Sequence, residues 1–179
     1  MLFRSSSFLY NRPVGALIRG AAANTAMLAV VALALATVLG IPLGIVTGSR
    51  RSSAAAIVRG LSLVCLSIPP LLMSLLLVFI ATRTRWFPAG GMTSVNAVDL
   101  SWSAWMLDVA RHLPMPAFAL ALPLAATFER LQSQSMAETV SHPFVLAAIA
   151  RGVPPSEGIY RHAWPASVRP ICEIGRAHV

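Results

Sequence analysis

The stretch Ser141–Ala163, SHPFVLAAIARGVPPSEGIYRHA, follows a very apolar chain yet holds two glycines, two adjacent prolines and two histidines. Read residue by residue, it is two short helices separated by a turn. Ser141 or His142 can cap a helix whose first position is Pro143, where a missing N–H costs nothing. Phe144, Val145, Ala148 and Ile149 then share one apolar face. Arg151 stands near the helix C-terminus, where a cation suits the dipole. Gly152 can adopt the left-handed stop, and Pro154-Pro155 oppose continuation. Ser156 can cap the second helix, with Glu157 in its first turn. The first helix is too short to cross a bilayer and too apolar on one face to lie free in water. It requires a partner's groove, a membrane surface or packing within its own chain.

The rest of the chain sets that stretch in a membrane protein. Of 179 residues, 56% are hydrophobic and 11% charged, whereas soluble domains are about a quarter charged. All fourteen basic residues are Arg, against six acidic ones, for a net charge of +8. Without a single Lys, a P-loop Lys, a Schiff-base Lys and a kinase Lys are all excluded. The Arg residues are scattered between apolar runs, which fits membrane topology and argues against a nucleic-acid surface. Cys65 lies in an apolar run and reads as an inert buried thiol, and with Cys172 alone there is no disulfide framework or zinc spacing. His112, His142 and His162 are far apart and joined by no carboxylate cluster, so no metal site is expected. No nucleophile-elbow pattern is present, so no catalysis is expected of this chain.

Three spans are predicted, at about 21–47, 61–82 and 113–131. The first is a continuous Ala/Val/Leu run, and ~23 apolar residues at ~1.5 Å each cover a ~30 Å hydrocarbon core. The second carries Pro69-Pro70 at its middle, which frees backbone carbonyls that neighbours or water must satisfy. The third is apolar to Phe128, turns amphipathic through Glu129, Arg130 and Gln132, and continues as an emerging helix. Arg50, Arg51 and Arg59 mark the first connection as cytoplasmic. The N-terminus and the loop Arg83–Arg111 then fall outside and everything after Arg130 inside, although Arg12 and Arg19 on the outer side oppose the rule. Trp86, Phe87, Trp102 and Trp105 suit an interfacial aromatic belt. Gly40, Gly44 and Gly48 recur every four residues and lie on one helix face, which allows close helix packing or lines a substrate path.

The stretch SMAETVSHPFVLAAIARGVPPSEGIYRHAWPASVRPI, 135–171, resembles the cytoplasmic EAA loop of bacterial ABC-importer permeases. It is most similar to the peptide/nickel class, and to the first of the two permeases in such systems. The family pattern falls on Glu138, Phe144-Val145, Ala147-Ala148, Ala150-Arg151-Gly152, Val153, His162-Ala163 and Pro170. NTAMLAVVALALATVLGIPLGIVTGSRRSS and LSIPPLLMSLLLVFIATRTRWFPAGGM look like the same family's membrane segments. The chain departs from the pattern at Leu146 and Ile149, where the family has basic residues, and in the paired Pro154-Pro155.

The resemblance implies an all-α polytopic permease in the bacterial inner membrane, with about three spans here out of roughly six. Its loop, about 138–165, would be a coupling helix seated on a cytoplasmic ABC ATPase. A second permease, an extracytoplasmic substrate-binding protein and the lipid bilayer are the other implied partners, with no nucleic acid. ATP would be bound by the ATPase subunits, and this chain would hold no cofactor. Phe144, Val145, Ala148 and Ile149 would dock, Gly152 would make the turn, and Glu138 and Arg151 would supply polar contacts. An ion-coupled secondary transporter, or a membrane anchor or scaffold subunit, is the alternative; sparse intramembrane charge speaks against ion coupling. The terminal strings MLFRS and EIGRAHV are encodable by opposite strands of a common sequencing adapter. Residues 1–5 and 173–179 are therefore expected to be adapter scars and 6–172 the permease segment.

Overall fold

The computed structural model describes residues 6–7, 12–50, 52–88, 90–94 and 100–173, with the side chains of 6–7, 12 and 169–173 left aside. The terminal stretches expected to be scars lie outside the described residues except for Glu173. A minimal antiparallel pair, β1 (Ser6–Ser7) with β2 (Arg12–Pro13), precedes an otherwise helical chain.

Helix α1 runs Val14–Ser49 and passes through Pro42 without interruption. It begins earlier than the predicted span because Val14 to Gly20 holds no breaker stronger than glycine. Helices α2 (Ser53–Ser67) and α3 (Pro70–Thr84) stand where the second span was predicted, and they part at its two prolines. They meet at Ile68-Pro69 with a bend of 104°. Ser52 caps α2, its hydroxyl accepting the Ala55 N–H at 3.2 Å. Pro69 and Pro70 offer no N–H to the turn before them, so α2 ends there and α3 starts afresh. Arg85, at φ 55°, closes α3 in the left-handed region.

Helix α4 (Trp102–His112) is amphipathic, with Trp102 and Trp105 stacked at 5.5 Å between ring centroids. A 44° bend at Leu113 leads into α5 (Pro114–Val140), which is 27 residues long. It starts where the third span was predicted and continues well past it, as an emerging helix should.

Helices α1 and α5 form the frame. Ala32 and Ala36 pack on Ala121 and Ala125, with Leu35 and Phe128 around them. Further along, Gly40 faces Ala125 and Phe128, Gly44 faces Glu129 and Gln132, and Gly48 faces Ser133 and Met136. Numbers rise together on both helices, so the two run parallel. A Cβ placed on Gly44 would lie 2.6 Å from both the Gln132 Cβ and the Glu129 carbonyl oxygen. Only glycine permits this approach, which is how helices associate where lipid removes the hydrophobic drive. Helix α2 lies by the C-terminal half of α5, and Arg59, Ser62, Leu63 and Leu66 share a pocket with residues from Glu129 to Ala137. Helix α3 lies by the N-terminal half, its Ser74, Leu77 and Val78 sharing another pocket with Met115, Pro116 and Ala119.

After α5 come α6 (Pro143–Ala150), a short turn, and a rod made of α7 (Pro155–Glu157), a π-helical segment Gly158–Ala163 and α8 (Trp164–Glu173). This rod folds back along α5.

Candidate functional site

The loop after α5 is where the chain's chemistry is most specific. Ser141 closes α5 and does not cap α6: its hydroxyl donates to the Glu138 carbonyl at 2.7 Å. His142 is the N-terminal boundary of α6. Its carbonyl accepts the Val145 and Leu146 N–H groups at 3.0 and 3.2 Å, and its ring stacks on Phe144 with centroids 5.9 Å apart. No side chain caps this end, and Pro143 at the first position removes one of the donors that would need a cap.

The other end of α6 is closed by paired backbone bonds. Gly152 N–H donates to the Ile149 carbonyl at 2.9 Å and Val153 N–H to the Ala148 carbonyl at 3.2 Å. Gly152 has φ +95°, so it supplies the left-handed turn that this double closure requires. The next helix starts at Pro155 behind Pro154, one residue before Ser156, which therefore lies inside it and is no cap. Proline at the first position is pre-set for helix and replaces the expected side-chain cap. Glu157 does stand in the first turn, and it pairs with Arg161 on the exposed side of the rod. Such an exposed pair is worth ~0.5 kcal/mol or less.

The face of α6 divides in two, where the resemblance implied a single docking face. Val145 is 0% and Ala148 3% exposed, both turned into the chain's own core. Val145 joins Ile45, Met136 and Ala163, with Ile149, Ile41, Val140 and Ile159 around them. An apolar face suited to a partner suits an internal core equally, and here the core takes it. Phe144 at 47% and Leu146 at 54% remain exposed, as does Ala147. Glu138 and Arg151 are exposed too, Arg151 lying back along its helix with Nε donating to the Ala147 carbonyl at 3.1 Å. Gly158 is buried because the rod crosses α6 there: a Cβ on it would meet the Ile149 side chain at 3.3 Å.

A polar seam, at the point where the sequence turns amphipathic, joins this loop to the frame. Glu129 is 2% exposed, and Thr47 of α1 donates its hydroxyl to the carboxylate at 2.5 Å. Gln132 is fully buried, and its Nε2 donates to the Ser167 hydroxyl of α8 at 2.8 Å. Ser135 donates to the Ser167 carbonyl at 2.8 Å, and Ser167 in turn to the Trp164 carbonyl at 2.9 Å. Buried polar groups bonded in this way fix one register between packed helices. The signal lay in the spacing of Glu129, Gln132, Ser133, Met136 and Thr139, all buried on one face of α5. Residue type alone hid it.

The match to known proteins covers this geometry. The family of binding-protein-dependent transport system inner membrane components matches residues 40–174. The chain belongs to this family. The matched region takes in the glycine face of α1, the bent α2–α3 pair, α5 and the whole loop. A Brucella ovis protein whose name proposes a peptide permease is 32% identical over 167 residues, covering 92% of this chain and 51% of that protein. The oligopeptide transport system permease protein AppB of Bacillus subtilis is 26% identical over 174 residues, 96% of this chain and 54% of AppB. The oligopeptide transport system permease protein OppB of Salmonella typhimurium is 26% identical over 149 residues, 82% of this chain and 44% of OppB. The chain thus spans about half the length of the curated relatives it matches. As an inner membrane component it is a helical membrane protein, and α1, with a mean hydropathy of 2.5 over its best window, is long and apolar enough to cross a bilayer.

Proposed function

We propose that this chain is membrane-spanning machinery of a permease subunit in an ATP-driven importer for peptides. The observation that carries the reading is the divided helix α6. Its inner face is fastened to the frame through Val145, with Ala148 buried beside it, and its outer face offers Phe144 and Leu146. A rigid helix anchored on one side and apolar on the other can receive a push from a partner and pass it on. The names of the relatives support peptides as the substrate class.

In this reading a cytoplasmic ABC ATPase receives α6, and ATP binding and hydrolysis belong to that partner. A second permease completes the path, and an extracytoplasmic binding protein delivers the substrate. The chain is multi-pass. Parallel α1 and α5 support this, because two parallel neighbours need a return crossing between them. The α2–α3 pair, running beside α5 from its C-terminal to its N-terminal half, supplies that return. Closure of the ATPases moves α6, and the seam through Ser167, Gln132 and Glu129 carries the motion to α5 and α1. Glu138, Arg151 and Gly152 keep their proposed places at the rim and turn of the docking surface.

Co-purification tests this. The ATPase should be captured with the wild-type chain from detergent-solubilised membranes, and lost with the pair Phe144→Asp and Leu146→Asp. Full retention of the ATPase by that variant would contradict the reading.

A further inference from the structure

The break between α2 and α3 has no role in the docking mechanism, yet its backbone chemistry is unusual for its position. It lies near the middle of the uncharged stretch between Arg59 and Arg83. The helical hydrogen bonds stop at Ile68 N–H to the Val64 carbonyl, 3.2 Å, and resume at Met73 N–H to the Pro69 carbonyl, 3.1 Å. The carbonyls of Cys65 and Leu66 would ordinarily accept from residues 69 and 70, but both are proline and have no N–H. The carbonyls of Ser67 and Ile68 likewise receive no backbone N–H among the described residues. Leu71 and Leu72, in the first turn of α3, have N–H groups with no acceptor inside that helix.

Four acceptors and two donors are thus gathered at one bend. Ser67, Pro69, Pro70, Leu71 and Leu72 are all exposed. Hydrocarbon cannot satisfy such groups, and leaving them bare there is strongly unfavourable. Non-helical backbone at membrane depth persists where it lines a water-filled path or is covered by protein. The C-terminal end of α2 adds partial negative charge, and the start of α3 partial positive charge. An extended peptide presents the complement, N–H groups and an ammonium for the carbonyls, carbonyls and a carboxylate for the N–H groups.

We propose that the α2–α3 break lines the aqueous translocation path and that the carbonyls of Cys65 to Ile68 receive N–H groups of a passing peptide. This rests on the reading of the chain as a peptide-importer permease. The test is thiol accessibility in membrane vesicles carrying the chain with its companion subunits. Cys65→Ala and Cys172→Ala remove the native thiols. Ser67→Cys and, as a second probe, Leu71→Cys are compared with Val30→Cys on the exposed side of α1. A charged, membrane-impermeant methanethiosulfonate should modify the two break positions on the order of tenfold faster than position 30, because only a wet site admits it. Tri-alanine at millimolar concentration should slow that reaction severalfold.

Equal rates at the break and at position 30 would overturn the proposal, because the break would be dry, covered by lipid-facing packing or another subunit. Fast reaction that tri-alanine leaves unchanged would overturn the peptide-binding part. The ATPase co-purification fails or succeeds independently: a dry break with a captured ATPase sinks only this inference. A wet, peptide-protected break with no captured ATPase sinks the ATP-driven reading and leaves the path.

Discussion

The contact between α1 and α5 and the attachment of α6 differ in extent and in what they leave outside. From Ala32 to Gly48, α1 lies against α5 with alanine or glycine at every fourth residue, so the backbones themselves meet. Helix α6, eight residues long, is held by Val145, Ala148 and the partly buried Ile149, and its other side is open. The first contact is a frame, with its energy spread over many close atoms. The second is a lever, with its energy in three side chains and two terminal turns. In the proposed mechanism the second acts as a lever, which needs a fixed frame to move against.

The frame should break hardest. Gly44→Leu would drive a side chain into the Glu129 carbonyl and the Gln132 side chain. Overpacking of this kind costs about 3 kcal/mol or more, and the folded fraction in a detergent-unfolding titration should collapse. A Gly44→Leu chain that unfolds like wild type would dissolve the distinction between frame and lever. Next, Val145→Asp places an unpaired carboxylate among Ile45, Met136 and Ala163. The cost is about 3 kcal/mol. It should fall on the loop, seen as faster proteolysis between 138 and 165 while the α1–α5 contact persists.

The outer face of the lever sharpens the comparison from the other direction. Phe144→Ala and Leu146→Ala should each leave unfolding unchanged and weaken ATPase binding roughly tenfold, the scale of a well-buried apolar anchor. Titration of the detergent-purified chain with its ATPase reads this directly. Gly152→Ala should cost about 1–2 kcal/mol, because its φ of +95° strains any residue with a Cβ. The loss should appear as fraying of the last turn of α6 in hydrogen exchange.

The smallest effect lies at the opposite end of the molecule. The Ser94 backbone N–H, 2.7 Å from the carboxylate, holds Asp108 below its ordinary value, with His112 and Arg111 adding attraction. A lowered carboxylate contributes above its ordinary pKa and loses that contribution as pH falls through the folded one. The attachment of residues 90–94 to α4 should therefore hold at neutral pH and loosen below about pH 4. A cysteine placed at Ser94 should become more reactive to a pH-insensitive label there, and Asp108→Asn should show that reactivity already at neutral pH.

What the sequence disclosed of this follows from local rules. The Pro143 start, the Gly152 stop and the break at Pro69-Pro70 each depend on one or two residues with restricted backbones, so they are legible without a fold. The four-residue repeat of Gly40, Gly44 and Gly48 placed them on one face, but which helix meets that face is a long-range fact. The same limit explains Val145 and Ala148. An apolar stripe specifies burial and says nothing about whether a partner or the chain itself does the burying. Glu129 and Gln132 were harder still, because polar residues at the end of an apolar run ordinarily mark the membrane surface. Their partners, Thr47 and Ser167, lie 82 and 35 residues away in sequence. The two prolines mark where α2 and α3 part, but the 104° size of the bend is not written in them.

The most direct measurement is site-specific photo-cross-linking from α6 in membranes that contain the ATPase. A photoreactive residue at Leu146 should cross-link to the ATPase, and one at Ala148 should cross-link only within the chain. Cross-linking to the ATPase from Ala148 with none from Leu146 would contradict the divided lever and return the docking face to the inner side of the helix.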